Sequence, residues 1–85
     1  MSRQERIRQI LQQALQPRML IIHDDSAQHR GHGGWRPEGE THFTLEIASA
    51  ELFATGRVAG QRRIYQLLAN ELADGLHALS IKITP

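Results

Sequence analysis

The chain contains no cysteine in its 85 residues. That excludes a disulfide framework, and it also removes the thiolate that soft metals favour. A strong charge of either sign is missing too. Ten Lys and Arg against nine Asp and Glu leave a formal +1, short of the basic stripe or the pI above about 9 that marks a dedicated nucleic-acid domain. No apolar run approaches the roughly 20 residues needed to span a bilayer, so no membrane partner is expected. The amino-terminal MSRQERIRQILQQ is amphipathic and charged rather than signal-like, and the expectation is a cytoplasmic protein. Catalytic parts are absent as well. No Ser or Cys nucleophile is set near a base, and Asp24 with Asp25, adjacent on a loop, makes no acid-base pair. An enzyme is not expected.

What is present is histidine, five in all, and imidazole is the commonest metal ligand near neutral pH. His29 and His32 lie in a Gly-rich stretch, and His77 stands just before the last strand-like run. Residues 1–85 are long enough for one domain with a small core. Ser2 with Glu5 reads as a capping box, and Ile7, Ile10, Leu11, Ala14 and Leu15 recur at helical spacing until Pro17, predicting a helix over about Ser2 to Gln16. Met19 to His23 fits a strand. The polar stretch from Asp24 to Glu40, with Gly31, Gly33, Gly34, Pro37 and Gly39, reads as a long loop, the first place to look for a site.

His42 to Ala48 alternates, with Phe43, Leu45 and Ile47 on one face and His42, Thr44 and Glu46 on the other, and so predicts a half-buried strand. Ser49 to Phe53 can cap and begin a short helical turn. Ile64, Leu67, Leu68 and Leu72 predict a second amphipathic helix that stops near Asp74-Gly75. Leu79, Ile81 and Ile83 alternate in a third strand. A long hairpin makes the first two strands antiparallel, and a right-handed helical crossover lays the second and third parallel. The expected fold is α+β: an α-β-β-α-β sandwich, a three-stranded mixed sheet with helices on one face.

The segments LIIHDDSAQHRGHGG, GETHF, IYQLLANEL and GLHALSIKITP, spaced in this order, resemble the BolA family over nearly the whole chain. The resemblance implies a fold like the class II K-homology domain, in agreement with the element order. It also implies partnership with a monothiol glutaredoxin, the pair sharing a [2Fe-2S] cluster with glutathione, in iron-sulfur trafficking or iron sensing. By the same resemblance His77, in the GLHAL segment, is a cluster ligand. A second ligand comes from the loop after the first strand, where His29 matches by its spacing from DDS and His32 competes. Thiolate would then come from the partner and glutathione, and the isolated chain would hold no cluster.

The departure lies at Gly60-Gln61-Arg62. Many BolA proteins carry Arg-His-Arg there, and two of its basic positions are replaced. Bacterial members are also known as transcriptional regulators, so DNA is the alternative partner. Its contacts here would be Arg57, Arg62, Arg63 and Lys82, which are more simply a solvated face. Gly31 to Gly34 does not lie between two helices, where a K-homology clamp belongs. His42 reads as ordering the strand entrance, His23 as an edge or core residue, and Trp35 as a loop anchor or an interface aromatic.

Overall fold

The computed structural model describes residues 1–29 and 39–85. Helix α1 spans Arg3–Leu15. The Ser2 hydroxyl accepts the Glu5 N–H at 3.1 Å, so the expected cap is in place. A residue ahead of proline is driven out of the right-handed helical region, and Gln16, ahead of Pro17, ends the helix in the left-handed region at φ 45°.

Strand β1 (Met19–Asp24) runs antiparallel to β2 (His42–Ala48), from Met19 against Ala48 to Asp24 against Phe43. Strand β3 (Ala78–Thr84) runs parallel to β2, from His42 against Ala78 to Ala48 against Thr84. The order is β1-β2-β3. This is the expected mixed sheet with its expected directions.

The crossover from β2 to β3 is more broken than its apolar periodicity suggests. It holds α2 (Ala50–Ala54), α3 (Arg57–Leu67) and α4 (Ala69–Ala73). Ser49 caps α2 through the Leu52 N–H. Between α3 and α4 the interruption is one residue, Leu68, and the i to i−4 bonds run through it: Leu68 N–H to the Ile64 carbonyl and Leu72 N–H to the Leu68 carbonyl, both at 3.0 Å. Leu68 therefore stays in the core although regular helix geometry lapses there. Helix α3 lies close on β3. A Cβ at Gly60 would stand 2.8 Å from Ile83 Cδ1, so only glycine leaves that approach undisturbed.

Phe43, Leu45 and Ile47 of the central strand meet Ile7 and Leu11 of α1, Ile22 of β1, and Leu52, Ile64, Leu68 and Leu76 of the crossover in one buried cluster. The opposite face carries the other parity, and there Met19, Ile21 and His23 are exposed. His23 is thus an edge residue and not a core one. Leu45 is fully buried, and Leu45→Ala is expected to lose about 2–5 kcal/mol in urea unfolding. A loss below about 1 kcal/mol would contradict its place at the centre of the core.

Candidate functional site

His77 lies on the turn between α4 and β3. Helix α4 closes with the Asp74 N–H bonded to the Asn70 and Glu71 carbonyls at 3.1 Å and the Leu76 N–H to the Glu71 carbonyl at 2.9 Å. Gly75 supplies the positive φ of 115° that this stop requires. Leu76 is buried and anchors the turn. His77 N–H then donates to the Thr41 carbonyl at 2.7 Å, a carbonyl that the Ala78 N–H shares at 3.2 Å. The backbone of His77 is therefore pinned to the start of β2 while its imidazole is exposed. Beside it sits His42, only 5% exposed. The ring centroids are 5.2 Å apart with planes tilted by 56°, and His42 Nδ1 lies 2.8 Å from the Thr41 hydroxyl.

The base of the long loop converges on the same strand end. The Asp24 carboxylate holds both sides of it, accepting the Ser26 N–H at 3.0 Å and hydroxyl at 2.6 Å through Oδ1 and the Glu40 N–H at 3.1 Å through Oδ2. Asp25 N–H donates to the His42 carbonyl at 2.7 Å, and the Thr44 hydroxyl donates to the Asp25 carboxylate. The backbone of His29 closes the short 3-10 turn Ser26–His29. Its imidazole, and the whole of His32 and Trp35, lie outside the described residues. Among the described residues no group of three or more His, Asp or Glu is arranged to hold a metal ion.

Beside the His77 turn lies an ion cluster that no local sequence pattern marks. Arg3 donates through Nε to Glu71 at 3.1 Å, through Nη1 to the Glu40 carbonyl at 2.9 Å, and through Nη2 to the Asp74 carbonyl at 2.7 Å and carboxylate at 3.2 Å. Arg6 adds two bonds to the Glu71 carboxylate, at 2.9 and 3.0 Å. Hydrogen bonds from Arg6 are the main reason that the Glu71 carboxyl is held below its ordinary range, against an opposing effect of burial, and they raise the Arg6 guanidinium in turn. One arginine thus ties the first turn of α1 to the loop end at Glu40 and to the turn that carries His77. The pairs are separated by 37 to 71 residues, so no local pattern marks them. The i, i+3 spacing of Arg3 and Arg6 says only that they share a helix face.

Arg57, Arg62, Arg63 and Lys82 are all exposed. Arg57 and Lys82 line one groove of about 570 Å³, together with Phe53, Gly56, Gln61, Ile81 and Ile83. Arg62 and Arg63 do not line it.

A family model described as BolA-like protein matches residues 11–85. The chain belongs to the BolA family. It is 45% identical over 82 residues to the chloroplastic BOLA1 of Arabidopsis thaliana, which covers 94% of this chain and 51% of that protein. The chain thus spans about half of that BolA relative. The solved BolA domain of SufE1 from Arabidopsis thaliana superposes with a TM-score of 0.87 at 45% identity, covering 99% of this chain and 92% of that domain. A BolA protein of Haemophilus influenzae, named as a DNA-binding transcriptional regulator, is 37% identical over 83 residues, 98% of this chain and 77% of that protein. The BolA architecture, with helices on one face of a three-stranded mixed sheet, is the one described above.

Proposed function

We propose that this BolA protein is a non-enzymatic accessory of iron-sulfur trafficking or iron sensing, cytoplasmic, that completes a [2Fe-2S] cluster held by a monothiol glutaredoxin and glutathione. The observation that carries the reading is the exposed imidazole of His77, fixed through the Thr41 carbonyl at the strand end on which both sides of the histidine loop converge. His77 and one loop histidine, His29 or His32, would occupy the iron positions that sulfur does not. Thiolate ligands are the glutaredoxin's contribution, because this chain has none.

The test is a titration of the wild-type chain into [2Fe-2S]-loaded monothiol glutaredoxin, followed by visible absorption and circular dichroism. A changed cluster spectrum with a one-to-one complex is expected, and an unchanged spectrum refutes the proposal. The isolated chain, treated with iron and sulfide without a partner, is expected to stay colourless. A stable brown product from the chain alone would sink the shared-ligand model.

A second reading, DNA contact by a transcriptional regulator, draws on the exposure of Arg57, Arg62, Arg63 and Lys82 and on the Haemophilus relative. With so few cations it is expected to be weak and steeply salt-dependent. Sub-micromolar, sequence-dependent binding at physiological salt would place it first.

A further inference from the structure

The two edges of the sheet are treated differently. Along β1, side chains of α1 take up strand carbonyls: Gln4 Nε2 donates to the Ile22 carbonyl at 3.2 Å and Arg8 Nη1 to that of Leu20 at 3.4 Å. A strand edge closed in this way is a poor template for another chain. Along β3 the alternation is set at both ends. The Ala78 N–H points to Thr41 and the Thr84 carbonyl to the Ser49 N–H at 2.9 Å, so the even-numbered residues face β2. Leu79, Ile81 and Ile83 turn their N–H and C=O groups outward. The Tyr65 hydroxyl covers the Leu79 carbonyl at 3.2 Å. For the outward groups of Ile81 and Ile83, no partner exists among the described residues.

The open stretch runs beside the groove that holds Phe53, 52% exposed, and Gly56. Among the described residues, both charged groups on the groove, Arg57 and Lys82, are cations, and no acidic residue lines it. It lies roughly 16 Å along the strand from His77, at a rise of about 3.3 Å per residue.

We propose that the β3 edge at Ile81 and Ile83 takes an extended, acidic and apolar peptide segment of a partner protein as a fourth strand. The peptide would pair its backbone with the open groups, seat an apolar side chain against Phe53 and face its carboxylates toward Arg57 and Lys82. Three considerations select this occupant. An open strand edge needs alternating donors and acceptors, which a peptide backbone supplies in register. A phosphodiester backbone offers acceptors only, and two cations over a mainly carbon-walled groove are few for nucleic acid. A second copy paired antiparallel about Lys82 would set the two Lys82 side chains against each other, and like charges directly opposite destabilise a strand pair. The proposal is independent of the iron reading.

The experiment is amide NMR on the full chain with three probes: an acetylated Glu-Val-Ile-Val-Asp-Glu peptide, its Lys-for-acid counterpart, and a single-stranded DNA oligomer. The acidic peptide is expected to shift the amides of Phe53–Arg57 and Ile81–Ile83 and to slow hydrogen exchange at Ile81 and Ile83 by about tenfold or more. The basic peptide should bind far more weakly, and the double variant Arg57→Glu, Lys82→Glu, altered only at exposed positions, should reverse the preference. The proposal is overturned by silence at Ile81 and Ile83 with the acidic peptide at millimolar concentration. It is equally overturned if the DNA oligomer moves those amides at lower concentration than the peptide does, or if the free chain dimerises through that edge.

Discussion

His77→Ala is expected to abolish the change in cluster spectrum that the wild-type chain produces with loaded monothiol glutaredoxin, while the two proteins still associate. The substitution removes an exposed imidazole and keeps the backbone N–H that bonds to the Thr41 carbonyl at 2.7 Å. Folding should therefore change by no more than about 0.5 kcal/mol, as for other surface positions. Thermal unfolding of the variant checks this directly. The proposed ligand sits at a helix-to-strand junction, where the bond from its backbone N–H to the Thr41 carbonyl fixes its position. His29→Ala and His32→Ala should be milder, because the two lie three positions apart in the sequence and either imidazole is proposed to serve. His29→Ala should be the more damaging of the two, since its spacing from Asp25-Ser26 matches the family ligand. If His77→Ala kept the wild-type spectrum and only His32→Ala lost it, both ligand assignments would be wrong.

The parts of this fold that were legible in the sequence are those with local causes. Helix α1 announces itself through Ser2, Glu5 and Pro17, and the alternation from His42 to Ala48 coincides with β2 residue for residue. The direction of pairing followed from the lengths of the connections, a long hairpin and then a helical crossover. His77 stood out because a strand begins right after it. Its neighbour His42 reads in the sequence as a strand-entrance residue, and the 5.2 Å contact between the two rings follows only from the parallel register that sets His42 against Ala78. Cooperation between distant residues left no trace in any window of sequence. Arg3 reads as one more cation on a surface helix until α4 brings Glu71 to it. The groove joins Phe53 of α2 to Ile81 and Ile83 of β3, residues nearly 30 positions apart.

Glu71 supplies the second large expectation, a stability that fails in acid. Its side chain is 9% exposed, and its carboxylate answers two guanidinium groups, with hydrogen bonds from Arg6 as the larger influence and those from Arg3 adding to it. The carboxyl is therefore held lower in the folded state than in the unfolded chain, where it has its ordinary value. The corresponding stability is fully present above that value and is lost as pH falls through the lower, folded one. Glu71→Gln should cost about 1–3 kcal/mol at neutral pH, less than a fully enclosed ion pair would lose because water reaches the rim of the cluster. Its urea midpoint should fall less steeply into acid than that of the wild type, and the two curves should converge once the wild-type carboxyl is protonated. Parallel curves down to strongly acid pH would show that Glu71 does not carry the acid sensitivity. The same loss should reach the site. With Glu71 neutral, Arg3 loses its buried counter-charge, and its remaining anionic partner is the exposed Asp74 carboxylate, so the turn that pins His77 to Thr41 is expected to loosen. Faster hydrogen exchange at the His77 and Ala78 amides in Glu71→Gln, with exchange in β1 unchanged, would report that coupling.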